Sequence, residues 1–293
     1  MKVLVFGGSG FLGSSLTVVL EQESFDCFTV SRSDVKSSYN FDISNYEEFS
    51  ILPNNYFDAV VNCATVLPGG NYLDSNYLDK IYKTNILGSQ NICKWLESQT
   101  SIKKIINCST LVVVAKPWPK LLSEGEATYP TGNHVLYSSS KLVQELIFHT
   151  FAQNNQRNLI QIRFSALYGE SMNWSGLICS LIDQARLNDK IILKNATKVS
   201  ADFLNVKDAA RIITAALNST YQGILNGASG KATTILELAK IISGNFDQNI
   251  VIDNNEDKVL LEDSAVVSVE KLETIINVKS FLSLSDGIKK MLQ

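Results

Sequence analysis

"KVLVFGGSGFLGSSLTVVLEQE", residues 2–23, decides how this chain folds. "KVLVF" (2–6) is a short β-rich run, and "FLGSSLTVVLEQE" (11–23) has helical spacing. Gly7, Gly10 and Gly13 sit between and at their junction, three residues apart. Glycines there let the main chain turn sharply and approach a pyrophosphate. The N-terminus of the helix they open offers free N–H groups and the positive end of its dipole. The strand before and the helix after supply the context that a bare glycine pattern lacks. Gly7, Gly10, Phe11, Leu12 and Gly13 are therefore expected to hold a dinucleotide.

The next strand, "FDCFTV" (25–30), reports on which dinucleotide. An acidic residue at its end would bind the adenosine ribose hydroxyls of NAD. The chain has Ser31 and Arg32 instead, and no carboxylate until Asp34. A small hydroxyl followed by arginine suits a 2′-phosphate, which favours NADP(H) and leaves NAD possible. "FDIS" (41–44) offers Asp42, with Ile43 beside it, as an adenine contact.

Farther out, "FDAVVNCA" (57–64), "IKKIINCST" (102–110) and "LIQIRFS" (159–165) read as strands. Helical stretches at 77–99 and about 136–153 alternate with them. Such alternation indicates β-α-β units and a parallel sheet, and strands without strict polar alternation fit a sheet covered on both faces. Past Tyr168 the regularity drops, with helices expected at 178–188, within 202–217 and at 233–243. The expected organisation is a dinucleotide-binding domain over 1–167 to which 203–228 returns. A smaller substrate lobe is expected from 168–202 and 229–293.

Composition narrows the classes. In 293 residues, 45% are hydrophobic and 19% charged, which fits a soluble globular protein. A net charge of −3 gives no basic footprint for nucleic acid. Five cysteines, an odd count without C-x-x-C, read as reduced thiols of a cytoplasmic protein. Two histidines and no Cys/His cluster make a structural zinc site an unpromising reading. The apolar N-terminal run is too short to span a membrane.

"YSSSK" (137–141) places Tyr137 and Lys141 about one helical turn apart on one face. A free phenol has a pKa near 10, and a nearby ammonium would lower it toward the range useful for general acid–base work. With "GGSGFLG" (7–13), "VVNCAT" (60–65), "KTNILGSQNI" (83–92), "INCST" (106–110), "IRFSALYG" (162–169) and "DFLNVKD" (202–208), the chain resembles the extended short-chain dehydrogenase/reductases, the NAD-dependent epimerase/dehydratase group that modifies nucleotide sugars. The resemblance spans nearly the whole chain. It implies an α/β Rossmann fold, a doubly wound parallel sheet with a small C-terminal substrate lobe. It implies catalytic roles for Tyr137, Lys141 and Thr110, with Asn85 supporting the site and Ala64 lining the cofactor. It also implies a homodimer through the 77–99 and 136–153 helices.

Two departures shape the functional expectation. Leu111 and Val112 follow Thr110 where family dehydratases carry an Asp-Glu pair, so a 4,6-dehydratase is not expected. Ala201 stands where many members grip substrate phosphate with arginine; Lys194, Lys198 or Arg186 could substitute, and Lys258 is the nearest basic residue to the C-terminal arginine of many members. The expectation is an NADP(H)-dependent reductase of a keto group, at C4, on a nucleotide-activated deoxy sugar. A nucleotide-sugar 4-epimerase with tightly held cofactor and an NADP-sensing regulator are the alternatives. His134, Glu124, Glu126, Trp118 and Trp174 are read as surface or packing residues that could reach the site. His149 is expected to pack, and Asp208 to act as a helix-start acid.

Overall fold

The computed structural model describes residues 1–68, 74–132, 134–187, 190–194, 199–246, 251–255 and 264–293. The first half of the chain runs β1 (Lys2–Phe6), α1 (Phe11–Gln22), β2 (Asp26–Ser31), β3 (Tyr39–Asn40), β4 (Ala59–Asn62), α2 (Ser75–Ile81), a π-helical turn (Tyr82–Leu87), α3 (Gly88–Leu96) and β5 (Lys104–Thr110). Then come β6 (Leu121–Leu122), α4 (Val135–Asn154), β7 (Asn158–Phe164), β8 (Ala166–Tyr168), α5 (Gly176–Leu187), β9 (Lys190–Lys194) and β10 (Ser200–Asn205). The chain continues through α6 (Val206–Asn218), β11 (Gly223–Gly227), β12 (Ala232–Thr234), α7 (Ile235–Ser243), β13 (Val251–Asn255), β14 (Val266–Val267) and α8 (Leu284–Leu292).

Contacts divide the chain into two compact units. The first is Met1–Ala115, Ala127–Phe164 and Ala210–Leu225. Its sheet has the order β11-β7-β5-β4-β1-β2-β3, with every neighbouring pair from β7 to β3 parallel. Chain order reverses at β1, which has β2 on one side and β4 on the other. Open sheets of this kind bind ligands outside the strand C-termini at that reversal. Val3, Leu4, Val5 and Phe6 are all fully buried, as expected of a strand covered on both faces. On one face, Phe6 packs against Phe49 and Trp95 at ring-centroid distances of 5.9 and 6.1 Å. This is the core that holds β1 in place.

The second unit is Lys116–Glu126, Ser165–Ala209 and Asn226–Gln293. It contains a β12-β10-β8 sheet and the two-stranded pairs β13-β9 and β14-β6. Its core gathers Tyr168, Ile182, Phe203, Leu238 and Ile288. A Cβ on Gly287 would lie 2.2 Å from the Tyr168 hydroxyl, so α8 comes this close only because that position is glycine.

The single helix expected over 77–99 is instead three segments, α2, the π-helical turn and α3. The widened turn carries Asn85 into the interior, where all of its amide atoms are bonded. The edge strands β3, β9, β11 and β13 carried no clear sequence signal, because they are short or take their pairing from distant strands.

Candidate functional site

The glycine loop is built by close approach. Gly7 has φ +77, and a Cβ on it would lie 2.7 Å from both N and Cα of Ala64. A Cβ on Gly13 would lie 2.1 Å from the Gly7 carbonyl oxygen. The N–H groups of Gly7 and Gly8 both donate to Val30 O, at 2.9 and 3.1 Å, which ties the loop to the end of β2. Gly10 is the N-cap of α1 and offers no capping side chain, and no acid stands in the first turn. The first-turn N–H groups of Phe11, Leu12 and Gly13 thus present an uncapped positive helix end. A dinucleotide pyrophosphate fits this cradle.

The loop after β4 joins that cradle to a second cluster. Ala64 N–H donates to Asn62 Oδ1 at 3.2 Å, and Ala64 itself packs under Gly7. The next two residues reach Asn85: Val66 N–H donates to its Oδ1 at 2.7 Å, and the Thr65 hydroxyl does so at 3.4 Å. Asn85 Nδ2 donates to Val66 O at 3.3 Å and to Ser140 Oγ at 2.9 Å. Ser140 Oγ in turn donates to Tyr137 O at 2.7 Å. The first two turns of α4, which carry Tyr137 and Lys141, are thereby pinned to the loop that follows β4.

Tyr137 is buried beside Thr110, at the end of β5, and Thr65; both hydroxyls hydrogen-bond its phenol. Burial pushes its pKa up to about 12, and those two hydrogen bonds only partly offset that. Lys141 is not among the main causes of this shift. Its ammonium points elsewhere, donating to Cys108 O at 2.8 Å and to Gln144 Oε1. The expectation that Lys141 lowers the phenol pKa is therefore corrected: desolvation dominates, and the Lys141 ammonium is held by neutral acceptors. Burial also lowers the pKa of Lys141 to about 8. The thiols of Cys63 and Cys108 lie 3.6 Å apart close to that ammonium.

Ser31, Arg32, Asp42 and Ile43 lie outside this network. Ser31 Oγ is buried and already engaged: it accepts from Asp34 N–H at 3.0 Å and Ser37 Oγ at 2.8 Å, and donates to Asn40 Oδ1 at 3.3 Å. Arg32 and Lys36 are exposed. One Asp42 oxygen caps Ser44 N–H at 2.9 Å, and Ile43 is buried with its carbonyl held by Asn91 Nδ2 at 2.9 Å. Arg186 lies over the Trp174 ring at 5.2 Å, and Trp174 donates to Asp183 at 2.9 Å. Lys194 ends β9 on its exposed side, and Ala201 pairs with Thr233. Lys198 and Lys258 lie outside the described residues.

Glu124 was expected on the surface, but it is buried. It accepts from Asn226 N–H at 3.1 Å and lies 3.6 Å from the Lys271 ammonium, close to where β6 pairs with β14. Sequence reading missed Thr65, Ser89, Ser140 and Gln144. The last two do carry a signal, since they share the inward face of α4 with Tyr137 and Lys141. Among the described residues no group of three or more His, Cys, Asp and Glu could hold a metal ion, and no helix is long and apolar enough to cross a membrane.

Comparison with known proteins identifies the family. Residues 3–227 match the family described as the NAD dependent epimerase/dehydratase family. A GDP-6-deoxy-D-talose 4-dehydrogenase of Aggregatibacter actinomycetemcomitans is 25% identical over 260 residues, covering 87% of this chain and 84% of the relative. A dTDP-4-dehydro-6-deoxyglucose reductase of Escherichia coli is 20% identical over 313 residues, covering 99% and 96%. The solved UDP-glucuronic acid 4-epimerase of Bacillus cereus, in complex with UDP-glucuronic acid and NAD, superposes with a TM-score of 0.80 at 20% identity, over 99% of this chain and 98% of that one. The parallel sheet, the glycine cradle and the match over 3–227 place the chain in the NAD-dependent epimerase/dehydratase family, the extended short-chain dehydrogenase/reductases: it is an enzyme of a family that works with a nicotinamide cofactor.

Proposed function

We propose that this enzyme uses NADP(H) to reduce a keto group, at C4, of a nucleotide-activated deoxy sugar. The observation that carries the reading is Arg32, an exposed cation directly after β2 with no acid at positions 31–33. Arginine offers a rigid fork of donors that suits a 2′-phosphate. The 4-dehydrogenase and the reductase among its relatives support the substrate class.

In this reading Gly7, Gly10, Phe11, Leu12 and Gly13 hold the pyrophosphate, and Asp42 and Ile43 flank the adenine. Arg32 takes the 2′-phosphate, while Ser31 shapes the loop from within. Ala64 lines the cofactor, and Lys141 binds the nicotinamide ribose. The bound nicotinamide supplies the hydride. Tyr137 carries its proton at neutral pH, as any phenol does, burial holds it more firmly still, and Tyr137 delivers that proton to the sugar oxygen. Thr110 orients the same oxygen by a hydrogen bond. With Thr65 it then stabilises the phenolate left behind. Asn85 holds the loop after β4 against α4. The substrate lobe is assigned to 168–202 and 229–293. Exposed Leu87, Val143 and Leu146 support pairing of two chains through the 77–99 and 136–153 stretches.

The test is NADPH oxidation against a panel of nucleotide-linked 4-keto sugars, with NADH in parallel. Turnover with NADPH is expected. No turnover of any member, or a preference for NADH, overturns the reading.

A nucleotide-sugar 4-epimerase with tightly bound NAD is the second reading. The internal engagement of Ser31 and the NAD-bound 4-epimerase neighbour favour it. Such an enzyme interconverts C4 epimers without net cofactor consumption, so sugar product analysis separates the two. A regulator that senses NADP would be indifferent to Tyr137→Phe, whereas either enzyme would lose turnover and keep cofactor binding.

A further inference from the structure

We infer that Gln144 is the positioning residue of Lys141: its carboxamide holds the ammonium as a neutral acceptor and ties it to the main chain of Asn85. The inference rests on the reading that Lys141 works beside Tyr137, and it adds a residue that reading does not contain.

Gln144 is fully buried on α4, three residues after Lys141 and seven after Tyr137, so all three share one face. Its Oε1 accepts from Lys141 Nζ. Its Nε2 donates to Ser89 Oγ at 2.8 Å and to Asn85 O at 3.4 Å. Ser89 Oγ donates onward to Asn85 O at 2.8 Å. The donors all run one way, from Lys141 through Gln144 and Ser89 to Asn85 O.

That direction fixes the amide. If it were flipped, Nε2 would face the ammonium, donor against donor. Oε1 would then face the Asn85 carbonyl oxygen, acceptor against acceptor. Only the orientation found satisfies every group, so Lys141 has one well-defined seat. The seat has two walls, Cys108 O at 2.8 Å and Gln144 Oε1.

Charge in the surroundings makes this seat matter. The titratable groups that face Lys141 are the Cys63 and Cys108 thiols from the sheet side and Glu145 from its own helix. Tyr137 stands one turn earlier on the same face. Glu145 is committed to Arg163 of β7, through Nε at 3.0 Å and Nη2 at 2.8 Å. Among the described residues no carboxylate is therefore in contact with the ammonium, which is held by neutral oxygens. Removing one of two such oxygens disfavours the charged form, and replacing it with a carboxylate favours it.

The experiment titrates Lys141 directly. Protein labelled with [13C,15N]lysine is followed by NMR, with the Lys141 side-chain signal assigned through Lys141→Met, for wild type, Gln144→Met and Gln144→Glu. Gln144→Met is expected to lower the Lys141 pKa by about one unit and Gln144→Glu to raise it by about one unit. The basic limb of the turnover pH profile should move in the same directions. Gln144→Glu is isosteric, and the Ser89 hydroxyl can turn to donate to it, so it keeps the test alive if Gln144→Met does not fold. A folded Gln144→Glu whose Lys141 titration stays put or moves down overturns the inference. The titration needs no substrate: a wild type inactive on every sugar overturns the proposed function alone, and an active wild type with Lys141 indifferent to Gln144 overturns this inference alone.

Discussion

Asn85 Nδ2 donates to Ser140 Oγ at 2.9 Å, and this bond joins the π-helical turn to the second turn of α4. Ser140→Ala leaves Asn85 Nδ2 with a single, longer bond to Val66 O, at 3.3 Å. A buried donor losing a partner costs about 1–3 kcal/mol, so denaturant unfolding should show a loss in that range. Tyr137 also loses the bond that fixes its carbonyl. Turnover should fall by roughly tenfold while cofactor affinity changes little, as expected when positioning and not binding is lost.

Gly13→Ala should be far more damaging than an ordinary surface Gly→Ala change. The new methyl would lie 2.1 Å from Gly7 O, in main chain that cannot swing aside. Loss upward of about 3 kcal/mol is expected, with cofactor binding abolished in whatever folds. Gly176 faces open space and serves as the control, although its φ of +83 brings a modest strain of its own. Thermal melts with and without NADPH check both.

The Glu145–Arg163 pair is buried and bidentate. Glu145→Leu or Arg163→Met alone should cost about 3–5 kcal/mol, since each leaves an unpaired buried charge. The double variant Glu145→Leu/Arg163→Met should cost less than the sum of the single changes. A double-mutant cycle by urea unfolding reads the difference.

Lys141 gives stability a specific pH dependence. Its folded pKa, about 8, lies below its unfolded value of 10.5, so the folded state binds fewer protons between those limits. Its contribution therefore makes stability rise from about pH 8 to 10.5, by on the order of 3 kcal/mol, and the burial penalty is fully present below pH 8. Cys27, Cys63 and Tyr137 have raised values and work in the opposite direction as pH climbs past 9. The wild-type curve alone is consequently a sum of opposed terms. The difference between wild type and Lys141→Met, followed by unfolding at pH 7 to 10.5, should isolate the rise.

Arg32→Ser should raise the KM for NADPH by roughly 10- to 100-fold, the size of a lost charge-assisted hydrogen bond set. The KM for NADH should stay within about twofold. An unchanged NADPH response would leave the second, NAD-dependent reading in place.

The sequence by itself determined the glycine cradle, the parallel sheet and the Tyr137–Lys141 pair. These rest on local requirements: glycine where a Cβ cannot fit, apolar runs where both faces are buried, and helical spacing that puts i and i+4 side by side. Tertiary structure alone decided the rest. The π-helical turn that points Asn85 inward depends on partners 19 and 55 residues away, Val66 and Ser140. The burial of Glu124 depends on Asn226 and Lys271, far along the chain. Most of all, the seat of Lys141 was illegible: its spacing from Tyr137 suggested a direct electrostatic pair, whereas desolvation governs both groups and the ammonium turns to Cys108 O and Gln144. Spacing along a helix fixes which side chains are neighbours. Which of them bond, and which charges are left in a low-dielectric interior, depends on what the other strands and helices bring against that face.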